Sequence, residues 1–200
     1  MELSDAVRRR RMIRSYDAER PVPRETVDAL LSLAVRAPSA GHTQGWRFLV
    51  LDDVTSCERF WSATTEADDA ADPWLLRMRQ APVLVVFFSD RDAYLDRYAE
   101  PDKGWTDRDE AHWPVPYWHI DTGMAAMIFL LAATDVGLGA CFFGVPPEQW
   151  PAFFAAFDVP EELSPVGVVS LGYPAPDLRS PSLKRGRRPL TELVAYGSFG

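Results

Sequence analysis

The chain of 200 residues is short of the residues that carry most side-chain chemistry. Two cysteines, Cys57 and Cys141, make neither a disulfide framework nor a metal quartet. Three histidines, His42, His112 and His119, leave little from which to build a zinc site. There is no Gly-x-Gly-x-x-Gly fingerprint, no Walker loop and no Gly-x-Ser-x-Gly elbow. The first residues contain no apolar run of the kind a signal peptide needs, so the cytoplasm is the default compartment. The most apolar stretch, Trp118 to Val136, is interrupted by Asp121, Asp135 and a glycine, which argues for a core helix over a membrane span. Lysine is almost missing: only Lys103 and Lys184 occur, and the other 19 of 21 cations are arginine.

Cations are also missing from one long region. From Asp109 to Leu178 there is no Lys or Arg. They gather instead near the two ends, as Arg8, Arg9, Arg10, Arg11 and Arg14, and again as Arg179, Lys184, Arg185, Arg187 and Arg188. The whole chain carries a formal net charge of -8 and a pI near 4.9. A field of that sign repels polyanions, which counts against nucleic acid and against an anionic membrane surface. A small phosphate and plain solvent remain as readings of the cationic patches. If the two ends meet in space they form one anion site, for which the planar fork of arginine is well suited. So few nucleophiles and bases elsewhere imply that the protein either only binds or leaves the chemistry to a cofactor. His119, at the head of an apolar helix, reads as a capping or packed histidine. His112 is open to either role, and Cys141 reads as core.

The pattern of elements favours one α+β domain over residues 1–200. Helices are expected at Leu3 to Arg11, capped by Ser4 or Asp5, at Arg24 to Ala37, Val54 to Thr64, Pro73 to Gln80, Trp118 to Val136, and from Pro146-Pro147 to Phe157. Strands are expected at Trp46 to Leu51, Val83 to Phe88, Ala140 to Val145 and Val166 to Tyr173. The run Val-Leu-Val-Val-Phe-Phe at 83–88 has the composition of a strand buried on both faces. Apolar residues cover nearly every side of the helix at 118–136, which reads as central and buried. Residues 91–117 look irregular and carry Tyr94, Tyr98, Trp105 and Trp113, the makings of a lid over a substrate pocket. Residues 174–200 read as a C-terminal extension.

Several short motifs, in order, resemble the FMN-dependent nitroreductase family over nearly the whole chain. They are Arg10-Arg11-Met12-Ile13-Arg14, then Tyr16 and the Pro21-Val22-Pro23 linker, then Ala37-Pro38-Ser39 leading to Gln44-Gly45-Trp46. Gly137-Leu138-Gly139-Ala140-Cys141, Leu171-Gly172-Tyr173-Pro174 and Arg185-Gly186-Arg187-Arg188-Pro189-Leu190 follow. The resemblance implies a nitroreductase-like α+β fold with a central, mostly antiparallel sheet flanked by helices, and an intertwined homodimer holding FMN at its interface. It implies that Arg10 and Arg187 grip the FMN phosphate with Arg185 close by, and that Arg11 and Met12 line the same end. Arg14 would lie near the N1–C2 edge of the ring, where a cation stabilises the anionic reduced flavin. Ser39, His42 and Gln44 would reach the flavin from the partner subunit, and Phe142, Phe143 and Gly144 would lie beneath the ring and offer backbone N–H near N5. The activity so implied is reduction of a nitroaromatic, quinone or related small acceptor by NAD(P)H with ping-pong kinetics. A non-catalytic flavin- or deazaflavin-binding protein is the alternative, and neither nucleic acid nor membrane is an expected partner. Three departures stand out: His42 where the family usually has Asn, Met12 for the usual Ser, and Gly45 for the usual Pro, which should loosen that loop.

Overall fold

A computed structural model describes residues 1–66, 72–176 and 180–199. Arg179, one of the second group of cations, lies outside them. The architecture is an antiparallel sheet between two helical layers. Its strands are β1 (Trp46–Leu51), β2 (Val83–Asp90), β3 (Gly139–Phe143) and β4 (Leu163–Gly172), in the order β1-β2-β4-β3. β2 pairs with both β1 and β4, and seven of its eight residues are buried. Its alternating side chains explain the continuous apolar run, because each parity faces a different layer. Val83, Val85 and Phe87 meet α2 (Arg24–Ala34) and α6 (Tyr117–Asp135), whereas Leu84, Val86 and Phe88 meet α3 (Val54–Thr64), α4 (Pro73–Met78) and α7 (Trp150–Phe157).

The expected strands and helices are present, with three differences that bear on function. First, α1 (Leu3–Arg9) stops before Arg10, and its cap is Glu2, which makes no side-chain capping bond; neither Ser4 nor Asp5 caps it. Second, residues 91–117 are not irregular throughout. Arg91–Tyr98 forms a helix, α5, started by the Asp90 carboxylate, which accepts from the Ala93 amide. The segment hides this helix from a periodicity reading because charge falls on most of its faces. Third, α6 is buried on one side only. Ala125, Ala126, Phe129, Leu130 and Ala133 pack into the core, but Tyr117, Ile120, Met124 and Met127 remain exposed. Spaced three and four residues apart, those four share one stripe of the helix. The helix is apolar all round because it has two apolar faces, and this chain supplies a partner for just one. Among the described residues no helix is long and apolar enough to cross a membrane.

Candidate functional site: an arginine-lined cavity

The backbone brings the two cationic ends together by laying them side by side. After α1, residues 11–16 run extended along the edge of β3. Met12 bridges Ala140 in parallel, and the Ile13 amide donates to the Ala140 carbonyl at 2.9 Å. Gly139 permits this approach, since a Cβ there would stand 2.8 Å from Ile13 Cγ2. The chain leaving β4 then returns past the same segment. Tyr16 bridges Pro174, and the Ala175 amide donates to the Ser15 carbonyl at 3.0 Å. Between the two lies a cavity of about 560 Å³, within the range of small-ligand pockets. Arg8, Arg10, Arg11, Met12, Ile13 and Arg14 form one wall; Pro174, Ala175, Pro176, Ser180, Ser182, Leu183 and Arg187 form the other.

The electrostatics of this cavity are unusual for so acidic a chain. Arg10, Arg11 and Arg187 have no acidic partner among the described residues. One guanidinium nitrogen of Arg10, Nη1, is removed from solvent without any acceptor. A buried N–H without an acceptor is costly, and a bound anion is the kind of group that removes the cost. Arg14 Nη1 donates to the Met12 carbonyl at 3.2 Å, which fixes that side chain against the same wall. Arg8 also borders the cavity, 3.7 Å from Asp5 with its side chain largely in solvent; Arg9 does not line the cavity. Arg185 ends a short 3₁₀ turn, is exposed and lies off the wall. The chain reverses at Gly186 (φ 69), and Arg187 is the residue that faces in.

The other expected site residues fall elsewhere in this chain. The Phe142 amide is already spent on Met12 Sδ at 3.4 Å, so Phe142 has no backbone N–H to offer a ring. The thioether therefore takes a structural contact in the place of the usual hydroxyl. Phe143 stacks on Trp61 with centroids 5.6 Å apart, and with Gly144 it lines a separate cavity of about 180 Å³. Ser39, His42 and Gln44 line neither space. They belong to a turn in which His42 (φ 57) and Gln44 (φ 55) adopt left-handed backbone and present exposed side chains. Histidine and asparagine are both among the residues that tolerate this conformation, which is a physical account of His42 standing in for Asn. Gly45 does not loosen the loop: it is buried, and its carbonyl accepts from the Asp90 amide at 2.7 Å.

In the aromatic stretch, Tyr98, Trp105 and Trp113 are half-buried and pack on one another, with centroids 4.6 to 5.4 Å apart. Tyr94 is wholly buried. Burial and its hydrogen bond to Asp121 push its hydroxyl pKa upward, so it remains a proton donor. His119 is packed, its Nδ1 2.8 Å from Ser89 Oγ, and burial lowers its pKa. Cys57 is buried and its thiol is pushed up to about 12, which makes it inert. Among the described residues no group of His, Cys, Asp and Glu could hold a metal. The residue that sequence reading missed is Asp121, noted there only as a charge interrupting an apolar helix. That isolation was the signal, because a buried carboxylate must find donors.

Comparison with known proteins fits this geometry. The model of the nitroreductase family matches residues 7–173, and the chain belongs to that family. A protein of Archaeoglobus fulgidus whose name joins NADH dehydrogenase with NAD(P)H nitroreductase is 30% identical over 167 residues, 82% of this chain and 81% of its own. The 5,6-dimethylbenzimidazole synthase of Rhodospirillum rubrum is 30% identical over 197 residues, 90% of this chain and 87% of its own. Among solved structures, a Desulfovibrio desulfuricans protein in complex with FMN superposes with a TM-score of 0.73 at 27% identity, over 100% of this chain and 99% of that one. Arg187 lies beyond the matched residues, so its place at the site rests on the cavity itself.

Proposed function

We propose that the protein is an FMN-dependent oxidoreductase that uses NAD(P)H to reduce a nitroaromatic, quinone or related small acceptor. The carrying observation is the cavity where Arg10, Arg11 and Arg187, without acidic partners, converge in a chain of net charge -8. The chemistry of this donor set suits a phosphate monoester, since guanidinium groups offer paired N–H donors and keep their charge at any working pH. The buried Nη1 of Arg10, without an acceptor among the described residues, would donate to a phosphate oxygen. Arg10 and Arg187 would hold the phosphate from opposite walls, and Arg11 and Arg14 would add positive potential beside it. When bound, FMN supplies the hydride and electron transfer; no side chain of the cavity need act as nucleophile or base.

The same reading includes a homodimer. The exposed stripe of Tyr117, Ile120, Met124 and Met127 on α6 and the outward apolar residues Leu190, Leu193, Tyr196 and Phe199 of the tail are apolar surface that a second copy would bury. A second copy would cover the stripe and bring the Ser39, His42 and Gln44 turn to the neighbouring cavity.

The test is the visible spectrum of the purified protein reconstituted with FMN, followed by anaerobic addition of NADH or NADPH. Bleaching of the flavin, and parallel double-reciprocal plots against a quinone or nitroaromatic acceptor, are expected. A protein that takes up no FMN sinks the proposal. One that binds FMN but neither bleaches nor turns over any acceptor is a flavin-binding protein without activity.

A further inference from the structure

Asp121 is 1% exposed and sits in a mostly apolar helix, where a carboxylate is costly to keep unless it finds donors. No cation pairs with it among the described residues. Its Oδ2 accepts two hydrogen bonds, from the Ala40 amide and from the Tyr94 hydroxyl, each at 2.8 Å. Both donors belong to the setting of one turn. Ala40 opens it, and the Tyr94 ring packs so closely beneath its far end that a Cβ on Gly45 would stand 2.5 Å away. The turn is strained, with His42 and Gln44 both left-handed, and such backbone persists only where neighbours over-determine it. Other restraints are nearby: Ser39 Oγ accepts from the Gln44 amide at 2.9 Å, Thr43 Oγ1 donates to the Ala40 carbonyl at 2.6 Å, and Arg97 Nε of α5 donates to the Gly41 carbonyl at 3.0 Å.

We infer that Asp121 is a positioning residue, which acts through Ala40 and Tyr94 to hold the 39–44 turn in its strained shape with His42 and Gln44 facing outward. The inference rests on the proposed function for its purpose, since the turn is what a partner subunit would present to the flavin. The clamp itself stands on the geometry of one chain. Neutral partners could bond Ala40 more cheaply; what a carboxylate adds is strength at both donors at once. Because Tyr94 also packs on Trp113 and Trp118, the clamp links the aromatic stretch to the turn.

Tyr94→Phe removes one hydroxyl and leaves the ring in place. Hydrogen exchange on the protein without flavin should show the Ala40 and Gln44 amides exchanging at least about tenfold faster, with β2 and the C-terminal half of α6 unchanged. FMN affinity should fall at least about fivefold, and that loss should largely vanish in a His42→Ala background, because both changes act through one turn. Asp121→Ala removes both bonds and should exceed these effects; Tyr94→Phe keeps the test open where that variant fails to fold. Exchange that rises evenly across the fold, or FMN affinity within twofold of the parent, or additive effects of the two substitutions, would overturn the inference. A parent protein that binds no FMN refutes the proposed function instead, and exchange at Ala40 then decides the clamp.

Discussion

Two groups of arginines in this molecule have opposite surroundings. Arg91, Arg97 and Arg108, in and after α5, are each neutralised: Arg91 by Asp92 and Glu110, Arg97 by Glu100 and Asp102, Arg108 by Asp92 and Asp96. Arg10, Arg11 and Arg187 have no carboxylate among the described residues, although the chain holds 29 acidic residues against 21 basic ones. The three line one cavity together, whereas the ion-paired arginines are spread along one surface stretch. The first group ties the aromatic stretch to itself in solvent, where ion pairs contribute little. The second leaves its donors without protein acceptors, and at the buried Arg10 Nη1 that costs folding stability. Arginines without a carboxylate among the described residues occur elsewhere as well, Arg20, Arg36, Arg59 and Arg77 among them; what marks the cavity is that three such guanidiniums line one space.

The largest expected effect separates the groups directly. Arg10→Ala combined with Arg187→Ala removes two sets of charge-assisted hydrogen bonds, each contributing about 1.5–3 kcal/mol. FMN affinity should fall by roughly two to four orders of magnitude with the fold retained by circular dichroism. Arg91→Ala combined with Arg108→Ala removes the same formal charge and should leave FMN affinity within about twofold. Equal losses in the two double variants would mean that net charge, and not the open donors, attracts the cofactor.

A smaller effect needs no flavin. Inorganic phosphate should raise the melting temperature of the flavin-free protein above that in chloride of equal ionic strength, because a ligand of the native state alone stabilises it. For a chain of this size each kcal/mol of such linkage is about 2–4 °C. The rise should disappear in the Arg10 and Arg187 double variant and persist in the Arg91 and Arg108 one. A phosphate effect common to both would return the arginine cavity to ordinary surface.

The contrast between the groups was half visible in the sequence. Convergence of the ends followed from the charge map, because a 70-residue gap in cations makes two clusters stand out. Which members face inward did not follow: Arg8 lies on the wall and Arg185 off it, decided by where α1 ends and where Gly186 reverses the chain. β2 was legible because β-branched and aromatic residues fill both of its faces. α5 was not, since a short charged helix has no apolar stripe to read, though Asp90 carried its start signal. The α6 pattern suggests full burial because composition counts apolar faces without separating those packed in the core from those left exposed. The Asp121 clamp depends on contacts between residues 27 and 81 positions apart, which no local pattern encodes.

The smallest expected effect examines the neutralised group on its own terms. Asp102 makes a two-pronged contact with Arg97, at 2.7 and 2.8 Å, and that hydrogen bonding holds its carboxyl below the ordinary value of 3.8. A carboxylate depressed in the folded state binds its proton later than in the unfolded chain. Its stabilising contribution is therefore complete above pH 3.8 and is lost as pH falls through the folded value. Asp102→Asn should lower the urea midpoint slightly at pH 7, and the gap from the parent should close progressively below about pH 4. Asp102 is exposed and Arg97 only half-buried, so the gap should also shrink with added salt. A gap that persists unchanged in acid would show that Asp102 acts through shape and not through its charge, and the neutralised group would then no longer serve as the electrostatic counterpart of the cavity.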